Sequence, residues 1–284
     1  MTFALLVLTA LCQLGVDPPA PTEELDAAAR SQWRCLFDGI AADYKLVPES
    51  ERQSLGLVKS ATYVWARSGS QGGTYGAVYV WTNRGNAEAV ACFWRYVRPD
   101  GKLSIVHELH SLSPVVLSSQ GKESDTWKPQ AGLKRHPLGD APAPATSAVG
   151  RMQQMRTICR DFSARSVASG GERTELRLLP QPLYRYQSTN PDVIDGALFA
   201  FVCSVGTDPE AFLQLEAIQT AAGPRWHYTA ARFSHMDLHV NYKDTEVWKA
   251  LRDQDNPISR NADHTYWVFH QPFDPMQLEA PGKK

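Results

Sequence analysis

From Thr22 onward, apolar side chains return every three or four positions: Leu25, Ala29, Trp33, Leu36, Ile40 and Tyr44. That spacing places one stripe on a helix of about six turns. Thr22 is its candidate N-cap, and Glu23 and Glu24 fall in the first turn, where acidic groups suit the helix dipole. Pro48 sets the far limit. The period then changes. Segments 55–67, 74–83, 87–98 and 103–112 are rich in aromatic and β-branched residues and predict strands. Ser68-Gly69-Ser70-Gln71-Gly72-Gly73, Asn83-Arg84-Gly85-Asn86 and Pro99-Asp100-Gly101-Lys102 supply turns between them. Short turns between consecutive strands require antiparallel pairing. In 87–98, Val90, Cys92, Trp94 and Tyr96 share one face, and Ala87, Ala89, Ala91, Phe93 and Arg95 the other. In 74–83 both faces are apolar, which predicts a central strand covered on both sides.

Residues 129–146 are rich in Pro, Gly and Ala without period and read as a linker. The pattern then restarts. Ala148, Met152, Met155, Cys159, Phe162 and Ser166 form a second helical stripe, followed by strand-like segments at 174–186, 196–204, 210–219 and 225–234. Gly76-Ala77-Val78-Tyr79-Val80-Trp81 resembles Gly196-Ala197-Leu198-Phe199-Ala200-Phe201, and Tyr63-Val64-Trp65 resembles Tyr184-Arg185-Tyr186. Ser113, Leu117, Lys122, Trp127 and Lys128 recur as Ser234, Leu238, Lys243, Trp248 and Lys249. Shared order at a constant offset predicts an internal duplication.

The expected fold class is therefore α+β. The expected unit is a helix on the concave face of a four- to five-stranded antiparallel sheet, repeated in tandem. Its boundaries are 17–128 for the first unit, 147–255 for the second and 256–284 for a tail carrying one strand candidate at 264–270. The element order is similar in outline to cone-like nuclear-transport-factor-2, cystatin-like and hotdog domains, without a motif of any of them.

Length and composition add an export expectation. Residues 3–11 (FALLVLTAL) are apolar apart from Thr9, too short for a bilayer span of about 20 residues but matching a signal-peptide core. Segment 1–16 is thus expected to be a signal peptide, although no Lys or Arg precedes the run, with DPPAP at 17–21 as a spacer. The implied location is periplasmic or extracellular. No stable transmembrane anchor is expected. In an exported chain, Cys35, Cys92, Cys159 and Cys203 allow two disulfides in three pairings; their apolar settings favour buried free thiols. With 29 basic and 30 acidic residues, charge gives no reason to expect nucleic acid as partner.

The search for chemistry assigns no catalytic, cofactor-binding or metal residue. Gly69–Gly73 (GSQGG) joins two strands and lacks the Lys-Ser/Thr of a phosphate loop. His107-Glu108-Leu109-His110 sits in a strand, where residues three apart face opposite ways, so the two histidines cannot share an ion from that segment. His107 shares a face with Leu103, Ile105 and Leu109 and reads as a core or pocket histidine. His235, Asp237 and His239 share a face, but residues four apart on a strand lie about 13 Å apart, too far for one ion without a bulge. That face reads as solvent-facing. Glu108, Asp195, Glu210 and Glu216 are acid–base candidates without a nucleophile at matching spacing, and Tyr184, Tyr186, Trp226 and Tyr228 are either core or the lining of an apolar or sugar-like pocket. These readings favour a non-catalytic module that binds an unknown protein or a small apolar ligand. The alternatives are an enzyme using His107 and Glu108 in a pocket between helix and sheet, and a structural cell-envelope component.

Overall fold

The computed structural model describes residues 27–67, 73–120, 126–203, 206–252 and 262–278. The expected leader, the Thr22 cap with Glu23, Glu24 and Leu25, and most of the GSQGG loop lie outside these residues.

The chain opens with α1 (Ala27–Asp43), which buries Trp33, Phe37 and Ala41. Phe37 and Ala41, absent from the predicted stripe, carry the seam with Trp33, while Leu36 and Ile40 are only partly buried. There follow β1 (Lys45–Pro48), β2 (Gly56–Leu57), β3 (Tyr63–Arg67), β4 (Thr74–Asn83), β5 (Asn86–Val97), β6 (Leu103–Ser111) and β7 (Leu117–Gln120). β8 (His136–Pro137) precedes α2 (Ala148–Ile158). The rest is β9 (Phe162–Val167), β10 (Arg173–Leu178), β11 (Tyr184–Tyr186), β12 (Val193–Val202), β13 (Pro209–Thr220), β14 (Gly223–Arg232), β15 (Asp237–Tyr242), β16 (Thr245–Ala250) and β17 (Tyr266–Phe273).

The β4–β5 turn shows how local chemistry sets register. Arg84 and Gly85 have φ of 51° and 89°, the left-handed pair that a two-residue hairpin turn needs to follow strand twist. Thr189 N donates to Arg84 O at 2.9 Å and Tyr184 Oη to Gly85 O at 3.2 Å, so the turn is clamped by the second half of the chain.

Every pairing is antiparallel. β1 and β7 form a two-stranded ribbon. A six-stranded sheet runs β17-β6-β5-β4-β2, with β3 also on β4, and a nine-stranded sheet runs β16-β15-β9-β10-β12-β13-β14-β8, with β11 also on β12. Alternation along the central strands divides the core in three. Ala77, Tyr79, Trp81, Ala91 and Phe93 turn toward Trp33 and Phe37 of α1. Ala197, Phe199, Phe201, Leu213 and Leu215 turn toward Met155 and Ile158 of α2. Between the sheets, Val78, Val80, Val90 and Cys92 meet Leu198, Ala200, Val202 and Phe212. Both faces of β4 are buried, as its two apolar faces imply.

The α+β expectation is corrected. Strands make up 50% of the described residues and helices 14%, with two α-helices among them, so the described structure is mainly β. The tandem helix-plus-sheet description, with its internal duplication, falls with it. The sheets have six and nine strands, and they recruit segments placed outside the units: β8 from the linker joins β14, and β17 from the tail joins β6. The second stripe also overran its helix. Phe162 and Ser166 stand in β9, where Phe162, Ala164 and Ser166 are buried in alternation. A spacing of four satisfies a period of two as well as one of 3.6, which is why the stripe misled. Gly76 and Gly196 do have similar local settings. A Cβ at Gly76 would lie 2.5 Å from the Trp65 ring, and one at Gly196 would lie 2.3 Å from the Tyr186 ring. Trp127 and Trp248 differ: Trp127 is fully buried and donates Nε1 to His264 O at 3.3 Å, whereas Trp248 is only partly buried in β16.

The four described cysteines are free thiols: Cys92 and Cys159 are buried, Cys203 is half-buried and Cys35 is exposed. No described helix is long and apolar enough to cross a membrane.

Candidate functional site

A groove of about 830 Å³ opens beside the β5–β6 turn and the end of β17. Arg95 and Val97 continue the β5 face that carries Phe93 under α1, and Leu103 opens β6 opposite Val97. Phe273 closes the far wall, its ring 5.1 Å from that of Trp33. The turn between the strands is held by Arg98 N donating to Lys102 O at 2.8 Å and Gly101 N to Arg98 O at 2.9 Å, with Gly101 at φ 77°. It brings Arg98 and Lys102 to the rim beside Arg95. Burial lowers the Arg95 pKa, and its Nη1 donates to Gly73 O. Arg98 lies 3.6 Å from Asp100, both well exposed. The acidic residue of the lining, Asp274, accepts from Met276 N at 3.0 Å. The groove therefore combines an apolar floor of Val97, Leu103 and Phe273 with three guanidinium or ammonium groups at its edge. The sequence reading missed it. The available signal was three cations within eight positions, two of them flanking a Pro-Asp-Gly turn.

His107 and Glu108 do not come together. His107 is 2% exposed on the α1 side. Its Nδ1 lies 2.7 Å from Tyr44 Oη and its Nε2 lies 2.8 Å from Gln271 Oε1, and Phe269 stacks on it at 4.3 Å. Burial lowers its pKa to about 4. A neutral imidazole with both nitrogens engaged is a core group. Glu108 projects from the other face, between the sheets, where its Oε1 accepts from Tyr266 Oη at 2.5 Å. Burial, then the charges of Glu210 and Asp208, push Glu108 up to about 8 despite the Tyr266 bond. Burial likewise pushes Glu210 up to about 7. Asp208 Oδ1 and Glu210 Oε2 are shut off from solvent without a hydrogen-bond partner. Arg232, 5% exposed, sits over the Tyr266 ring at 5.4 Å.

The other acid candidates are structural. Glu216, 2% exposed, accepts from Arg135 Nε and from Tyr186 Oη, each at 2.7 Å. Asp195, fully buried, is held by Arg151 Nε at 2.9 Å and Arg185 Nη2 at 3.0 Å, which ties α2 to the sheet beneath it. Buried charges are stable in such company because each keeps a partner. The four aromatic candidates do not line one pocket. Tyr184 and Tyr186 pack between the sheets, and Trp226 and Tyr228 pack on the α2 side.

His235 is exposed, while His239 Nδ1 lies 2.8 Å from Glu246 Oε2 and Asp237 Oδ1 accepts from Arg252 N. Among the described residues no three His, Cys, Asp or Glu side chains are placed to hold a metal. His235→Ala is expected to change stability by less than about 0.5 kcal/mol, the usual range for a surface substitution, as read by thermal melting.

No known protein family, curated protein or solved structure matches the chain.

Proposed function

We propose that the chain is a non-catalytic binding module that takes a small ligand with an apolar body and an anionic head in the groove between the β5–β6 turn and the end of β17. One observation carries this reading: three cations, Arg95, Arg98 and Lys102, rim a floor of Val97, Leu103 and Phe273. Apolar lining with a few placed polar groups is the usual composition of a small-molecule site, and a volume near 830 Å³ suits it. Arg95 and Arg98 present guanidinium forks, which match the two oxygens of a carboxylate. The α1 contact of Phe273 fixes the wall, so the groove is preformed and binding carries little ordering penalty.

The test is a calorimetric titration with dodecanoate and with dodecanol. Dodecanoate is expected to bind and dodecanol to bind at least about fivefold more weakly, because only the acid meets the rim cations. Lys102→Ala and Arg98→Ala, both at exposed positions, are each expected to weaken dodecanoate by about fivefold, or about 1 kcal/mol, in the range of a net hydrogen bond at a solvent-exposed site. Equal binding of acid and alcohol, or no binding of either, refutes the reading.

A further inference from the structure

We infer that the cleft walled by the 130–134 loop, the ends of β14 and β16 and the 263–265 segment binds a small hydroxylated carboxylate, of the sugar-acid class, through Arg232 and His110. The cleft measures about 460 Å³ and has no described lining residue in common with the groove above. Backbone bonds hold its walls. Gln130 N donates to Asp263 O at 3.3 Å, Gly132 N to Ser113 O at 2.9 Å and Ser111 N to Thr265 O at 2.8 Å. A Cβ at Gly132 would lie 1.8 Å from Ser111 O, so the loop packs directly on the end of β6. The cleft is therefore preformed, as small-molecule sites usually are.

Two buried side chains in its lining point to a ligand. Arg232 is 5% exposed, and among the described residues no carboxylate lies at ion-pair distance from it. Its bonds all go to carbonyls: Nε to Ser234 O at 3.0 Å, Nη1 to Leu251 O at 3.1 Å and Nη2 to Met236 O at 2.8 Å. A guanidinium has five N–H groups, so one on each Nη is left over. Asp237 and Glu108 favour its charge from farther off, and Asp237 has Arg252 at 3.8 Å. The other arginine buried among the described residues, Arg151, has Asp195 at 2.9 Å. A buried charge without a counter-charge is costly, and a bound anion would supply one.

His110 is also 5% exposed. Its Nδ1 lies 2.7 Å from Ser111 O. A carbonyl only accepts, so Nδ1 carries the hydrogen and Nε2 the lone pair. Burial lowers the pKa to about 4, which keeps the ring neutral at ordinary pH. Among the described residues Nε2 has no partner, and it is not sealed from solvent, so its lone pair opens to the cleft that the ring lines.

The two groups ask for different things of one ligand. The N–H pair on Arg232 matches the two oxygens of a carboxylate. The His110 lone pair needs a hydrogen donor, which a hydroxyl supplies and a bare carboxylate lacks. Ala230, Leu251 and the half-buried Trp248 give apolar wall for a carbon skeleton. Exposed Lys134 and Lys249 add positive potential at the rim, where the carboxylate of the lining, Asp263, is exposed too.

The full chain is titrated calorimetrically with glucuronate, glucose and cyclohexanecarboxylate. Glucuronate is expected to bind saturably with a Kd on the order of 1 mM, the ordinary efficiency for a ligand of its size. Glucose keeps the hydroxyls alone and cyclohexanecarboxylate the charge alone, so each should bind at least about tenfold more weakly. Arg232→Gln should abolish glucuronate binding. Should that variant not fold, nitrogen NMR of the unchanged protein reads the same contact, because a hydroxyl donating to His110 Nε2 shifts its resonance. Saturating dodecanoate should leave glucuronate affinity unchanged, which separates this cleft from the groove. No saturable heat with glucuronate up to about 10 mM, tenfold above the expected Kd, overturns the site. So does cyclohexanecarboxylate binding as tightly, an unmoved His110 Nε2 resonance, or displacement by dodecanoate.

Discussion

Trp33→Ala is expected to destabilise the protein by about 3–5 kcal/mol and to lower its melting temperature by about 6–20 °C. Trp33 is 2% exposed and touches both Phe37 and Phe273. Deleting it removes the transfer energy of a large side chain and opens a cavity between α1 and the six-stranded sheet. An isolated helix of 17 residues is marginal in water and depends on this packing. Met155, fully buried under α2, is the matching position on the other outer face, and Met155→Ala should cost about 2–5 kcal/mol. The two variants should shift the same single transition, because the sheets share the core in which Val78 and Val90 meet Leu198 and Phe212. Calorimetry checks both points. Two separable transitions, each moved by one variant alone, would show that the halves melt independently.

Stability is expected to fall by about 2 kcal/mol between pH 6.5 and 8. Four buried groups set the sign. Glu108 and Glu210 have folded pKa values near 8 and 7 against an ordinary 4.5. A raised carboxyl stabilises most when protonated, so its contribution is full below about 4.5 and is lost as pH rises through the folded value. His107 and His110 are lowered to about 4 from 6.5, burial being the main cause for each. Their contribution runs the other way: it is full above 6.5 and lost as pH falls toward 4. Between 4.5 and 6.5 the two pairs offset. Above 6.5 the histidines are silent and only the glutamates act. The groups around Glu108 are Asp208 and Glu210, which raise it, and Tyr266 and Trp94, which donate to it and lower it. Arg232, beside Tyr266, favours its ionised form. Denaturant unfolding across this range should show the decline, and Glu108→Gln should flatten most of it. A flat profile in the unchanged protein would mean that solvent reaches Glu108 more freely than its bond to Tyr266 implies.

Strands were the legible part of the sequence. β4 was placed residue for residue, and β5 and β6 to within one, because aromatic and β-branched alternation is local and the Arg84-Gly85 turn announces itself. Balance between element types was not legible. Segments of two to six residues such as β8 and β9 gain their hydrogen bonds from distant partners, and nothing in a window of that length reveals them. Cys35, in an apolar stretch, turned outward because the α1 seam follows Phe37 and Ala41. For the sites, the alternation that sets His107 and His110 on opposite faces also separates His107 from Glu108, so the two do not share the pocket in which the enzyme alternative placed them. The groove was hidden, since it joins the 95–103 hairpin to residues 272–275, which lie far away in the sequence.

The place of β17 also bears on how the protein is made. Glu108 and Tyr266 are 158 residues apart, so β6 has no partner on that side until β17 has been made. At about 5–20 residues per second a ribosome needs about 8–30 s to close that gap. For that interval the β6 backbone, flanked by Leu109 and Val106, is an open template that any neighbouring nascent chain could pair with. Crowded translation, as on polysomes, should therefore be the moment at which this protein most needs a chaperone.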